Sequence, residues 1–380
     1  MTQSLVLDIE PGATFGEAAQ KNFLEALPYV VQGVGTIDVE GDVVRLNVET
    51  TSNLQDHESE ILDVLKRSLE TVSRAVEQTL DENDIEYKLH TDVTDTLIER
   101  RDISQTGNGK FVYRGQVAKV FRGLDDLFRS WAGEQFANEE FFPISVTKKT
   151  LERAGYFKTF AQHAFFVSPL ELSMPALKSA VEGDVQPHLQ SPEWVLSPTV
   201  CHHCFEALSD KAHHNHQTIT ALNQCSRYEV HDTGGLKRLR HYWMREIIFL
   251  RSTPEETQSA LDDVLQLTTD LLRSWGIFFQ VKSASDPFFL DSGTGKRMFQ
   301  TALLMKRELV LPVEGKSIAC ASFNNHMKTL TEAFEITGEE GEIASGCVGW
   351  GYDRLILALF SQFGPECSDW PSQVREDLGF

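Results

Sequence analysis

Two short stretches of this 380-residue sequence carry side chains arranged for chemistry. The first runs Arg227-Tyr228-Glu229, a loop with Gly234-Gly235, then Arg238-Leu-Arg-His-Tyr242-Trp-Met-Arg-Glu246, so that a cation, a ring and an acid recur every fourth residue. If the latter part is extended, the two-residue period of a strand puts Arg238, Tyr242 and Glu246 on one face, which could hold a nucleotide. Lys237, Arg238 and Arg240 read alternatively as the decoration of a surface hairpin. The second stretch is Gly346-Cys347-Val-Gly349-Trp-Gly351-Tyr-Asp-Arg354, running into an apolar helix. The same period aligns Cys347, Gly349 and Gly351. Glycine removes a side chain where something must approach the backbone closely, and Arg354 at the start of a helix suits a phosphate. Gly349 also reads as a tight packing position.

In this order the two stretches resemble motifs 2 and 3 of class II aminoacyl-tRNA synthetases. The likeness sharpens with Cys201 in SPTVCHHCFEAL, Glu246 at the end of the motif 2 strand and Cys347 in motif 3. These three could form a Cys, Glu, Cys zinc site, since zinc accepts thiolates and a carboxylate in a tetrahedron whose open fourth position takes water or substrate. That set resembles the atypical seryl-tRNA synthetases of methanogens and, more closely, their truncated homologues, the amino acid:[carrier protein] ligases. The resemblance runs from about Phe111 to the end and includes FFPISVTKKTLERAGYFKTFAQHAFFV (Phe141 to Val167) and SFNNH (Ser322 to His326).

The family's chemistry implies roles for individual residues. Arg227 would stabilise the α-phosphate, Arg238 and Arg354 the outer phosphates, and Tyr242 and Arg354 would sandwich adenine; Arg227 and Arg354 are thus the expected catalytic pair. Glu229 would position the nucleotide, and Ser322, Asn324 and Gly349 would line the amino acid site. Attack of a carboxylate on phosphorus builds charge on the α-phosphoryl oxygens, and fixed cations there lower the barrier. Zinc would hold the neutral amine and reject hydroxy acids. Magnesium is expected with ATP, yet the strand before motif 3, Lys316 to His326, lacks the usual acid; Ser322, Asn324 or Glu308 are the substitutes.

Other motifs carry blander readings. Cys225, Cys320 and Cys367 read as small buried residues. Cys201-His-His-Cys204 could be half of a structural zinc site with His213, His214 or His216, because Cys-x-x-Cys is a familiar ligand spacing; the histidine run reads otherwise as a solvated loop.

The elements that must position these residues follow from periodicity. Strand (Leu5 to Ile9), helix (Thr14 to Leu27), strand (Gly35 to Val39), the turn Glu40-Gly41-Asp42, strand (Val43 to Val48), long helix and strand is the order of a ferredoxin-like unit. The long helix carries Ile61, Leu65, Leu69, Val72, Val76 and Leu80 at spacings of three and four. This predicts an N-terminal α+β domain over 1–91 and a polar linker over 92–110. Residues 111–380 form the catalytic domain. There, Thr253-Pro254-Glu255-Glu256 starts a helix that stops at Gly276. Strands Ile277 to Lys282, Leu309 to Leu311, Ser317 to Ser322 and Ile343 to Trp350 follow, then a helix through Arg354 to Phe363. The expected class is α+β, an antiparallel sheet flanked by helices.

Bulk properties narrow the partners. The formal charge is -21, and residues 1–110 hold about 22 acids against about 9 bases, which disfavours a broad tRNA surface because phosphates are neutralised by Lys and Arg. Of the acceptors that the resemblance implies, a phosphopantetheinylated carrier protein taking a small amino acid is therefore expected first, with tRNA second and an idle paralogue third. A local basic patch such as Arg114, Lys119 and Arg122 would dock an acidic carrier. No apolar run approaches the roughly 20 residues of a membrane span. The N-terminus lacks a basic targeting segment, so a cytoplasmic protein is expected; class II cores imply a homodimer.

Overall fold

The computed structural model describes residues 2–8, 15–27, 30–31, 34–41, 43–74, 78–229, 235–284 and 305–380. Ile9, Thr14, Asp42, Val76, Gly234 and the side chain of Val72, all named above, lie outside this description. Two compact units are present, one within Met1–Gln78 and one comprising Thr79–Ser283 with Met305–Phe380.

The first unit contains β1 (Thr2–Asp8), α1 (Glu17–Ala26), β2 (Val34–Glu40), β3 (Val43–Glu49) and α2 (Glu58–Arg74). Its sheet has the order β1-β3-β2, antiparallel throughout. Along β3 the alternation is regular: Val44, Leu46 and Val48 are buried, Arg45 and Glu49 exposed. Those three join Phe23 of α1 and Ile61 and Leu65 of α2 in one core.

The strand expected to complete a ferredoxin-like sheet does not do so. Helix α2 ends at Arg74, and Leu80, expected on that helix, is exposed in β4 (Thr79–Glu82), which pairs in the other unit's sheet. With sequence Thr-Leu-Asp-Glu, β4 has a single apolar side chain and cannot present the alternating face a buried sheet needs. The expected linker is also structured. Residues 92–110 form α3 (Val93–Glu99), β5 (Ile103–Gly107) and the start of β6 (Lys110–Tyr113), and Val93, Leu97 and Ile103 are buried in the main core.

The larger unit continues with α4 (Gly115–Glu134), β7 (Asn138–Glu139), β8 (Ser145–Thr147), α5 (Lys148–Arg153), α6 (Phe157–Phe160), β9 (Phe166–Val167), α7 (Met174–Glu182), β10 (Trp194–Leu196), α8 (Cys201–Leu208), β11 (Ala212–His213), β12 (Gln217–Ser226) and β13 (His241–Arg251). Then come α9 (Pro254–Trp275), β14 (Gln280–Ser283), β15 (Lys306–Val313), β16 (Lys316–Met327), α10 (Thr329–Ala333), β17 (Thr337–Gly338), β18 (Ala344–Gly351), α11 (Tyr352–Phe363) and α12 (Ser372–Asp377). An eight-stranded sheet has the order β4-β14-β15-β16-β18-β13-β12-β7, antiparallel except where β7 lies parallel to β12. This is the expected α+β architecture. Thr253 caps α9 by accepting from Glu256 N at 3.2 Å, and Gly276 closes it with φ 69°.

One face of the sheet is covered by helices. Val348 and Trp350 of β18 and Ile247 and Phe249 of β13 share a core with α4, α9 and α11, and Trp350 stacks on Phe128 at 4.5 Å. Arg245, on the same face of β13, is buried and donates to Asp125 Oδ1 (2.7 Å), Thr220 Oγ1 (3.1 Å) and Glu139 Oε1 (3.1 Å). It ties α4, β12 and β7 to the strand that carries Glu246 on its other side. Among the described residues no helix is long and apolar enough to cross a membrane.

Removing a buried cation strands the carboxylates it served, so Arg245→Ala should destabilise the larger unit by about 3 kcal/mol. Urea unfolding measures this; a change below about 0.5 kcal/mol would show that the network contributes no more than a surface pair.

Candidate active site

The opposite face of the sheet holds the first stretch's Glu246 and the second stretch's Cys347, and α8 delivers Cys201 to them. The Sγ atoms and a carboxylate oxygen of Cys201, Glu246 and Cys347 lie within 4.8 Å of one another, and all three residues are buried. Among the described residues this is the one such group. Glu246 Oε1 accepts from Val200 N at 3.1 Å, while its buried Oε2 has no hydrogen-bond partner. Burial pushes the Glu246 carboxyl up, against the pull of Val200 N–H and the two cysteines. The Cys347 thiol is pushed well up, first by the Cys201 thiol beside it and then by burial. A buried carboxylate with one oxygen unpartnered, packed against two sulfurs, is a donor set that a thiophilic dication satisfies and that a dry core does not.

Asn324, expected at the amino acid site, and residues given no role from sequence frame this cluster. Cys347 Sγ meets Asn324 Nδ2 at 3.7 Å and His326 Nε2 at 3.5 Å; Cys201 Sγ meets Thr199 Oγ1 at 3.5 Å, which also meets His202 Nδ1 at 2.9 Å. The His202 imidazole is pushed down to about 3 by burial, so it stays neutral. The alternative site built on Cys204 does not assemble. Cys204 is fully buried with Phe205, Leu250 and Phe334, whereas His213 meets Leu208 O, His214 pairs with Glu339 and His216 with Glu256. Cys225, Cys320 and Cys367 are buried, as expected of small core residues.

Strand register lays a row of side chains across the sheet: Glu246 of β13 opposite Gly349 of β18, Gly349 opposite Ser322 of β16, and Ser322 opposite Glu308 of β15. Asn324 lies opposite Cys347 in the adjoining row and donates to Ser322 Oγ at 3.1 Å. The expected amino acid site residues Ser322, Asn324 and Gly349 are therefore neighbours of the cysteine and carboxylate cluster. The glycines of the second stretch serve different faces. A Cβ on Gly346 would lie 2.6 Å from Thr257 Cγ2 of α9, whereas one on Gly349 would lie 3.0 Å from Met244 Sδ and 3.4 Å from Glu246 Cγ.

The nucleotide candidates gather around the hairpin from β12 to β13. Arg227 donates Nε to Pro198 O at 3.1 Å and stands 5.6 Å from the centroid of the Tyr242 ring, whose hydroxyl donates to the same carbonyl at 3.1 Å. Arg238 pairs with Glu229 at 3.5 Å. Arg354, at the start of α11, donates to Lys237 O (2.9 Å) and Ala319 O (3.0 Å), joining the hairpin to β16. The cation over the Tyr242 ring is thus Arg227. Asp353 fixes the start of α11 by accepting from Trp243 N at 2.7 Å and from Tyr113 OH, and burial pushes its carboxyl up to about 6. Gly109, at φ 63°, accepts from Arg240 N at 3.1 Å and props the hairpin from beneath; a Cβ there would lie 2.7 Å from that nitrogen.

An antiparallel sheet with a Gly-rich strand leading to an arginine helix, beside an Arg-x-Glu hairpin, defines a class II synthetase catalytic core. Residues 186–363 match the tRNA synthetase class II core domain (G, H, P, S and T). Amino acid–[acyl-carrier-protein] ligase 1 of Bradyrhizobium diazoefficiens is 31% identical over 248 residues, covering 63% of this chain and 75% of the relative. The type-2 serine–tRNA ligase of Methanopyrus kandleri is 23% identical over 395 residues, covering 91% of this chain and 74% of the relative. The M. kandleri seryl-tRNA synthetase, solved with an Aquifex aeolicus tRNASec, superposes with a TM-score of 0.70 at 20% identity over 99% of this chain and 77% of that one. The chain belongs to the class II synthetase family of ligases, in the branch of the amino acid–[acyl-carrier-protein] ligases and the type-2 serine–tRNA ligases.

The close approach of Gly346 to α9 makes a local expectation. Gly346→Ala should cost about 1–3 kcal/mol by overpacking, seen as a lowered melting temperature. An unchanged melt would mean that α9 is free to move away from β18.

Proposed function

We propose that this protein is a zinc-dependent ligase that activates a small amino acid (glycine, alanine or serine) with ATP and passes it to the phosphopantetheine thiol of a carrier protein. The observation that carries the reading is the buried Cys201, Glu246 and Cys347 cluster on the same sheet face as Tyr242 and Arg227. When bound there, a zinc ion supplies a Lewis-acidic position for a neutral amine.

The chain's own residues account for the remainder of the chemistry. Asn324 and Ser322 would flank the amine, and Arg227 would meet the α-phosphate of ATP. An oxygen of the amino acid carboxylate attacks the α-phosphorus, the bond to the bridging oxygen breaks, and pyrophosphate leaves. Arg227 holds the charge that develops on the α-phosphoryl oxygens, and Arg238 and Arg354 hold the outer phosphates; Glu229 positions the nucleotide, and Tyr242 and Arg354 bracket its base. For Arg354 to do so it must exchange the carbonyls of Lys237 and Ala319 for the nucleotide. Among the described residues Glu308, at the end of the row Glu246, Gly349, Ser322, would offer a carboxylate to magnesium, since β16 supplies none. In the second half-reaction the carrier thiol attacks the acyl carbon, AMP leaves, and the thiol proton passes to solvent.

The acceptor has a second reading. Likeness to the M. kandleri serine–tRNA ligase extends over 91% of the chain, that to the carrier-protein ligase over 63%, so the wider likeness favours tRNA. The acidity of residues 1–110 favours the carrier protein. A homodimer is part of the proposal: Phe136, Phe141 and Ile144, beside the edge strand β7, are 91%, 87% and 60% exposed, an apolar surface that a partner copy would cover.

Pyrophosphate exchange with glycine, alanine and serine tests the first half-reaction; no exchange with any of them leaves only a non-catalytic paralogue. Labelled amino acid offered to a phosphopantetheinylated carrier protein in one tube and to tRNA in another identifies the acceptor, and label is expected on the carrier. Cys347→Ala should fold, yet retain almost none of the roughly one zinc per chain expected of the native protein, measured by elemental analysis. Full zinc content in that variant contradicts the ligand set.

A further inference from the structure

The concavity made by the missing side chain of Gly349 is not left to the solvent. Met244 precedes Glu246 by two residues on β13 and so projects from the same face. It is paired with Gly351, which makes Gly349 its diagonal neighbour, a separation that a long side chain bridges. It does bridge it: the position a Cβ would take on residue 349 lies 3.0 Å from Met244 Sδ and 3.7 Å from its Cγ. Tyr242, Met244 and Glu246 therefore form one line along the strand, with Arg227 over the first and the cysteine cluster around the last. An amino acid whose amine is held at Glu246 and whose carboxylate points toward Arg227 must lie across the thioether.

We propose that Met244 sets the size limit of the amino acid site, filling the space over Gly349 so that substrates are restricted to the smallest side chains. The inference rests on the amino acid-activating reading above and names the residue that enforces its substrate class. The walls of this space explain why the limit lies with Met244. Behind the thioether, Val200, Ala221 and Cys225 are fully buried, with Phe142 and Tyr242 packed against them, so the side chain has no empty core to retreat into. On the far side of Gly349, Ser322 and Asn324 are bonded to each other and Asn324 also meets Cys347, so that wall is polar and tethered. Methionine is unbranched and adaptable, so the cut-off is graded: glycine and alanine fit, and each further methylene meets rising resistance.

The test is a size ladder without a change of polarity: glycine, alanine and 2-aminobutyrate in pyrophosphate exchange, read as ratios of kcat/KM. Met244→Ala should raise the 2-aminobutyrate to glycine ratio about tenfold or more, and Met244→Phe should lower the alanine to glycine ratio by a similar factor, the scale on which pockets resolve one methylene. Zinc content measured in each variant shows that the cluster is intact, and if one variant does not fold the other decides. Ratios within about twofold of wild type in the folded variants overturn the role of Met244 while leaving the activating function in place. Wild-type protein that exchanges with none of the three, nor with serine, overturns the function and this inference with it.

Discussion

The larger unit is organised around a carboxylate that has been removed from water without being given a full set of partners. Glu246 accepts from Val200 N–H with one oxygen, has no hydrogen-bond partner for the other, and lies with its carboxylate beside two sulfurs. An ionised carboxylate in such surroundings is costly unless a cation answers it. The fold nevertheless commits three separate elements to the arrangement: the start of α8, the middle of β13 and the centre of β18. Arg245 on the reverse side of β13 holds that strand to α4, β12 and β7, so the position of Glu246 is fixed from behind as well as from within. Register does the remainder, since β18 lies between β13 and β16 and brings Gly349 opposite both Glu246 and Ser322.

Much of the site was legible because strands have a period of two. That rule alone placed Tyr242 and Glu246 on one face and aligned Cys347 with Gly349, and the capping pattern at Thr253 announced α9. Cys201 was different, since nothing local to it distinguishes a metal ligand from a core thiol; family resemblance supplied the pairing with Glu246 that 44 residues of intervening chain concealed. Met244 and His326 went unread because their roles exist only where strands meet side by side, and Thr199 because a threonine two residues before a cysteine carries no signal of its own. The N-terminal region misled for a related reason. Four residues of β4 carry no pattern that says which sheet they will join, and 92–110 spreads Val93, Leu97 and Ile103 too thinly to look like anything but a linker.

The division between the two units bears on the acceptor. The catalytic unit carries the features shared with both kinds of relative. Residues 1–78 add a separate α+β unit with its own core, in a stretch whose sequence holds more acids than bases. Acidic surfaces repel nucleic acid at physiological salt, and the repulsion weakens only as salt screens it.

X-ray absorption at the zinc edge of the purified protein tests the central claim most directly. Two sulfurs at about 2.3 Å with the remaining ligands oxygen or nitrogen is the shell that Cys201, Cys347 and Glu246 predict, and added glycine should change only the light-atom part. A shell of four sulfurs, or one without sulfur, contradicts it.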